Sequence, residues 1–106
     1  MTIEDDIVQV LLSNTGRQAP RQRVIEEVEN RRAAQGYTVP FKFEEVVQSV
    51  YNRNCVDYEP FRERKVPDAV ALFDSPGGKW SGVWGINRMN PRFRILRRRK
   101  ELKKRR

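Results

Sequence analysis

Ten of the fifteen residues from Arg92 to Arg106 are Lys or Arg, against one acid, Glu101, so this segment carries +9 while the other 22 − 10 = 12 bases face 14 − 1 = 13 acids. Like charges at this density repel one another and cannot share a core. Folding therefore falls to the near-neutral stretch before them, which has the length of one domain with a single modest core. The division this predicts is a head over residues 1–90 and a basic C-terminal helix or tail over residues 91–106.

Within the head, hydrophobic periodicity and punctuation predict three helices. Thr2 is a good N-cap, Glu4, Asp5 and Asp6 complement the helix dipole, and Ile3, Ile7, Val8, Val10, Leu11 and Leu12 form an apolar stripe that Ser13-Asn14-Thr15-Gly16 ends. A second helix starts near Pro20, places Val24, Ile25 and Val28 on one side and closes at Gly36, with Glu26, Glu27 and Glu29 in register to pair with Arg31 and Arg32. A third spans Phe43 to about Asn54 on an apolar face of Phe43, Val46, Val47, Val50 and Tyr51. Cys55 to Asp68 reads as a loop with at most a helical turn. Ala69 to Asp74 and Lys79 to Ile86 then read as two strands joined by a tight reversal at Ser75-Pro76-Gly77-Gly78, with Trp80, Gly82, Trp84 and Ile86 sharing one face. Asn90-Pro91 is a helix start from which Phe93 and Leu96 lean on the head.

Several chemistries are disfavoured. The chain has no histidine, which removes the commonest metal ligand and general acid/base, and its one cysteine, Cys55, lacks an imidazole to activate it and reads as structural. Asp68 with the distant Glu101-Leu102-Lys103 makes no convincing nuclease-like order, and Gly77-Gly78-Lys79 is followed by Trp80 where a phosphate loop needs Ser or Thr. No enzyme activity, cofactor or metal is expected. No stretch approaches the roughly twenty apolar residues of a membrane span, and acids stand where a secretory leader carries positive charge. A soluble, cytoplasmic protein, associated with the nucleoid, is the expectation.

A helix ending in Leu11-Leu12 and followed by Gly16-Arg17, an amphipathic second helix, a Val46 to Arg53 helix and the closing strand Trp80-Ser81-Gly82-Val83-Trp84-Gly85-Ile86 give three helices and a hairpin. In this order the chain resembles the winged helix-turn-helix superfamily, and more narrowly its compact HARE type, from about Ile3 to Asn87. The resemblance implies an α+β fold with a C-terminal hairpin wing, and a non-enzymatic protein that binds double-stranded DNA, as in transcription regulation. It makes the third helix the recognition element, with Gln48, Ser49, Asn52 and Arg53 able to meet base edges, the alternative being the solvated face of an ordinary amphipathic helix. Glu44 and Glu45 cut against this, since in the first turn they would face phosphate.

Further candidate contacts surround that helix. Lys79, Ser81 and Arg88 flank the glycine turn of the hairpin, and Arg17, Arg21 and Arg23 gather where the second helix begins, a place suited to phosphate. Trp84 reads as core, and Trp80 with it, the alternative being a ring that stacks or wedges against nucleic acid. Arg92, Arg94, Arg97, Arg98, Arg99, Lys100, Lys103 and Lys104 supply most of the arm's attraction for a polyanion. Duplex DNA is the favoured partner. An RNA- or ribosome-associated protein, or a protein-interaction module with a localising tail, are the rivals.

Overall fold

The computed structural model describes residues 2–93. They form an α+β fold in the order α1 (Ile3–Ser13), a 3-10 turn (Thr15–Arg17), β1 (Gln18–Pro20), α2 (Arg21–Ala34), α3 (Phe43–Asn54), the short α4 (Glu59–Arg62), a second 3-10 turn (Asp68–Val70), β2 (Phe73–Asp74) and β3 (Val83–Ile86). The three strands make one antiparallel sheet in the order β1-β3-β2, with Ala19 opposite Trp84 and Phe73 opposite Ile86. Among the described residues no helix is long and apolar enough to cross a membrane.

Capping explains where α1 begins and where α2 ends. The Thr2 hydroxyl accepts from the Asp5 amide while Asp5 accepts from the Thr2 amide, a reciprocal box that starts α1. Gly36, at a φ of +86°, ends α2 in a left-handed turn in which the Tyr37 amide reaches back to the Arg32 carbonyl and the Gly36 amide to that of Ala33. The Arg32 guanidinium lies 4.0 Å from the Tyr37 ring centre and covers this turn.

One core unites the helices and the sheet. Ile7, Val8 and Leu11 of α1, Val24 and Val28 of α2 and Val47 of α3 are fully enclosed. The aromatic layer of Tyr51, Phe73 and Trp84 joins α3 to the sheet. The charges that fix α1 against α2 depart from the sequence pattern. Asp6 is fully buried and accepts hydrogen bonds from Arg31, Arg32 and Gln35, each at 3.3 Å, so Arg31 and Arg32 turn inward to α1. Along α2 itself, Arg23 bonds Glu27 at 3.2 Å. A carboxylate buried this deeply is tolerable only when its lone pairs are met, and two guanidinia meet them better than a helix dipole does.

The hairpin also differs from expectation. Asp68–Val70 is a 3-10 turn rather than strand, β2 has two residues, and β3 begins only at Val83. Residues 75–82 are therefore a loop of eight, whose Gly77, Gly78 and Gly82 all have positive φ. Left-handed backbone breaks the alternation of a strand, so Trp80 does not share a face with Trp84; it is 86% exposed while Trp84 is 2% exposed. Gly85 is required for another reason: a Cβ there would stand 2.8 Å from Pro76 and 2.9 Å from the Asp74 carboxylate.

Two buried asparagines finish the head. Asn87 donates to the carbonyls of Asp68 and Ala71, and Asn90 to that of Ala71, which ties the exit of β3 to the turn before β2. The Asn90 side chain also accepts from the Arg92 amide as an N-cap, the chain turns helical at residues 91–93, and Phe93 is buried. The expected helix start is thus present, and the basic segment is rooted in the core by Phe93.

Candidate nucleic-acid interface

The outward face of α3 is built by helical spacing. With Phe43, Val47, Val50 and Tyr51 turned inward, Gln48 and Asn52 fall four residues apart on an outer row beside Ser49 and Arg53. The first residue of α2 organises that row. Arg21 donates through Nη1 to Glu44 at 2.9 Å and through Nε to the Gln48 side-chain oxygen, and Gln48 in turn donates to the Asn52 oxygen at 2.8 Å. An exposed ion pair such as Arg21–Glu44 adds little stability. Its effect is orientation: each group in the chain Glu44, Arg21, Gln48, Asn52 fixes the next, and the Asn52 amide N–H donors have no partner among the described residues.

The β2–β3 loop forms the opposite wall. The Gly78 amide bonds the Ser75 carbonyl at 2.9 Å across Pro76-Gly77, a turn that needs glycine at its third position, where φ is +81°. The Ser81 hydroxyl donates to the Pro76 carbonyl at 2.7 Å, and the Tyr58 hydroxyl donates to the Lys79 carbonyl at 2.6 Å. Lys79 and Trp80 thereby line a groove of about 430 Å³ together with Trp84, Glu59, Arg21, Gln48 and Asn52. A second depression of about 440 Å³ shares Arg21, Gln48, Asn52 and Pro60 and extends the surface over Ser49 and Arg53.

Six of the sequence-derived candidates meet here: Arg21, Gln48, Asn52 and Lys79 around the groove, with Ser49 and Arg53 beside it. Others lie apart or are otherwise engaged. The Ser81 hydroxyl is spent inside the turn, and Arg23 is paired with Glu27. The Arg21 amide donates to the Gly82 carbonyl at 2.8 Å, so the first N–H of α2 closes β1 onto the loop instead of facing solvent. Arg17 follows Gly16 in a left-handed turn at a φ of +55°, Arg88 lies past β3 in the field of Asp74, and Arg92 acts on Asp5 near the start of α1. Arg94, Arg97, Arg98, Arg99, Lys100, Lys103 and Lys104, with Leu96, lie outside the described residues.

Electrostatics separate the buried polar groups from the groove. Burial pushes the Tyr51 hydroxyl and the Cys55 thiol above their ordinary values, in a cluster where Tyr51 donates to the Asp74 carbonyl at 2.7 Å and Cys55 is fully enclosed. That cluster fits a structural cysteine. Tyr58 is also raised, by partial burial first. Among the described residues there is no group of three or more potential metal ligands.

Tyr58 and the exposed Trp80 are the groove residues least visible in the sequence. Their rings meet edge-on with centres 6.3 Å apart, and the Lys79 ammonium lies 5.5 Å from each ring centre. The available signal was the Gly-Gly-Lys-Trp-Ser-Gly run, too rich in glycine for a regular strand. Comparison with known proteins gives no precedent for the site: no family model, no curated protein and no solved structure matches the chain.

Proposed function

We propose that the protein is a non-enzymatic, nucleoid-associated DNA-binding protein of winged helix-turn-helix type. In this reading duplex DNA is met by α3 and the β2–β3 loop and held chiefly by the basic C-terminal segment. The observation that carries it is the joining of the polar row of α3 and the Lys79 loop into one surface, on a head of zero net charge that continues into a strongly cationic arm. Residues 1–93 hold 22 − 9 = 13 bases and 14 − 1 = 13 acids, so the whole +8 of the chain follows Phe93. Three helices and a hairpin in this order suit a helix in the major groove and a loop on the neighbouring backbone.

The internal chain on α3 gives the reading its chemistry. Glu44, which would repel phosphate as a free carboxylate, is neutralised by Arg21. Asn52, with its oxygen occupied by Gln48, presents donors, and Arg53 follows it on an exposed position. Donors of this kind meet the acceptors of guanine or thymine in the major groove, and one good contact discriminates by about 1–3 kcal/mol.

Titration of labelled duplexes with the full chain, with a chain ending at Phe93 and with the Asn52→Ala, Arg53→Ala double variant tests this. The arm should supply most of the affinity and the α3 pair any preference among sequences. Equal affinity of the double variant and the parent on every duplex removes α3 from the interface, and tighter binding to structured RNA than to duplex DNA at the same salt replaces DNA by RNA.

A further inference from the structure

We propose that the groove between α3 and the β2–β3 loop takes an unpaired DNA base, stacked on Trp80, so that the protein favours duplexes carrying an unpaired or overhanging nucleotide over fully paired ones. The inference rests on the DNA-binding reading above and deepens it by naming the form of DNA.

Trp80 is the starting point. A tryptophan can bury some 150–250 Å² of apolar surface, and this one leaves 86% of its accessible surface in water. The ring is held there by built features: the Tyr58 hydroxyl on the Lys79 carbonyl, the Ser81 amide on the Gly78 carbonyl at 3.1 Å, and the left-handed Gly82 that turns the chain back into β3. Tyr58 stands against the ring with planes 83° apart and the Lys79 ammonium lies 5.5 Å from its centre, and the 86% exposure of Trp80 leaves ring surface open for stacking.

The rest of the groove fits one ligand. A nucleobase offers a π face, an edge of hydrogen-bond acceptors and an attached phosphate; the lining of the groove offers Trp80, the unspent Asn52 donors and the Lys79 ammonium. Charge complementarity points the same way, since a polyanion drawn in by the +8 that follows Phe93 brings bases with it. In a paired duplex the interior bases have both faces covered by neighbours and every base has its pairing edge taken, so an unpaired, flipped or overhanging base is the one that can enter the groove and lie on Trp80.

The test compares two labelled duplexes of equal length, one fully paired and one with a short single-stranded overhang, titrated with the full chain at fixed salt. The readout is the ratio of the two affinities. The parent should favour the overhang by roughly 5- to 150-fold, the range expected for one base stacked on an aromatic side chain. Trp80→Ala should bring the ratio close to one, and Trp80→Phe should restore most of it; an unchanged far-UV circular dichroism spectrum checks the fold of both. In the parent, emission from the exposed Trp80 should become shielded from acrylamide on adding the overhang duplex and not the paired one. A ratio near one in the parent, or an undiminished ratio in Trp80→Ala, overturns the inference while leaving DNA binding in place. Failure of the parent to bind either duplex overturns the functional reading and this inference with it.

Discussion

Tyr51 lies flat against Trp84, with ring centres 3.9 Å apart and planes 6° from parallel. One ring belongs to the inward face of α3 and the other to the central strand β3, so this stack, together with that of Tyr51 on Phe73, fixes the helix against the sheet. Truncating Trp84 removes the stack and opens a void beneath the groove. Trp84→Ala should cost about 3–5 kcal/mol, a large part of the 5–15 kcal/mol typical of a small domain. Trp84→Phe, which retains an aromatic face, should cost clearly less. Urea unfolding followed by circular dichroism separates the two.

Asp6 makes an asymmetric prediction. Asp6→Ala leaves two guanidinia that are partly exposed and can turn to water, so it should cost about 1–3 kcal/mol. Replacing Arg31 and Arg32 together by Ala strands a fully buried carboxylate with Gln35 as its remaining partner here, and should cost about 3–5 kcal/mol. Equal losses in the two variants, measured by urea unfolding at neutral pH, would show that the carboxylate is not the group that needs the partners.

Much of the helical part of this fold is legible in the chain, because the forces that form it are local. Thr2 with Asp5, Gly36, and the spacing of Val47, Val50 and Tyr51 mark α1, α2 and α3 close to their observed ends. The sheet is less legible. β1 is three residues long, ends in proline and pairs with β3 about 65 positions away, and nothing in Gln18-Ala19-Pro20 alone announces that pairing. Alternation extended through Gly82 puts Trp80 on the face of Trp84, and the φ of +76° at Gly82 ends that alternation. The α3 row was readable as a row, by its i to i+4 spacing, but its organiser Arg21 lies 27 positions before Gln48. Proximity of that kind is a product of tertiary packing.

Asp74 gives a pH dependence with a definite sign. Burial first, and the nearby Asp57 second, hold its carboxyl above the ordinary carboxylate value, with Arg88 opposing them. Well above both the folded and the unfolded value the group is ionised in either state, and the folded state bears the cost. As pH falls through the raised folded value the native chain takes up the proton first, and the cost is gone below the unfolded value of about 3.9. Asp74→Asn should therefore be more stable than the parent at pH 7, with the difference shrinking to nothing near pH 3.5. Paired urea titrations at the two pH values measure it, and a difference independent of pH would remove Asp74 as its source.

The arm makes the last prediction, and Phe93 decides where to cut it. Because Phe93 is buried and Asn90 caps the turn before it, removing residues from 92 onward would damage the head, whereas ending the chain at Phe93 removes nine bases and one acid and spares the core. If five to eight of the bases neutralise phosphates, log affinity for duplex DNA should fall with log salt at a slope of about −4 to −7 in the full chain. The shortened chain keeps Lys79, Arg53 and few other unpaired cations near α3, so its slope should shrink to roughly −1 to −3. Each phosphate contact released lowers the slope by about one unit, so the difference between the two slopes counts the contacts made by the arm. Identical slopes in the two chains would place the electrostatic contacts on the head and take the arm out of DNA binding altogether.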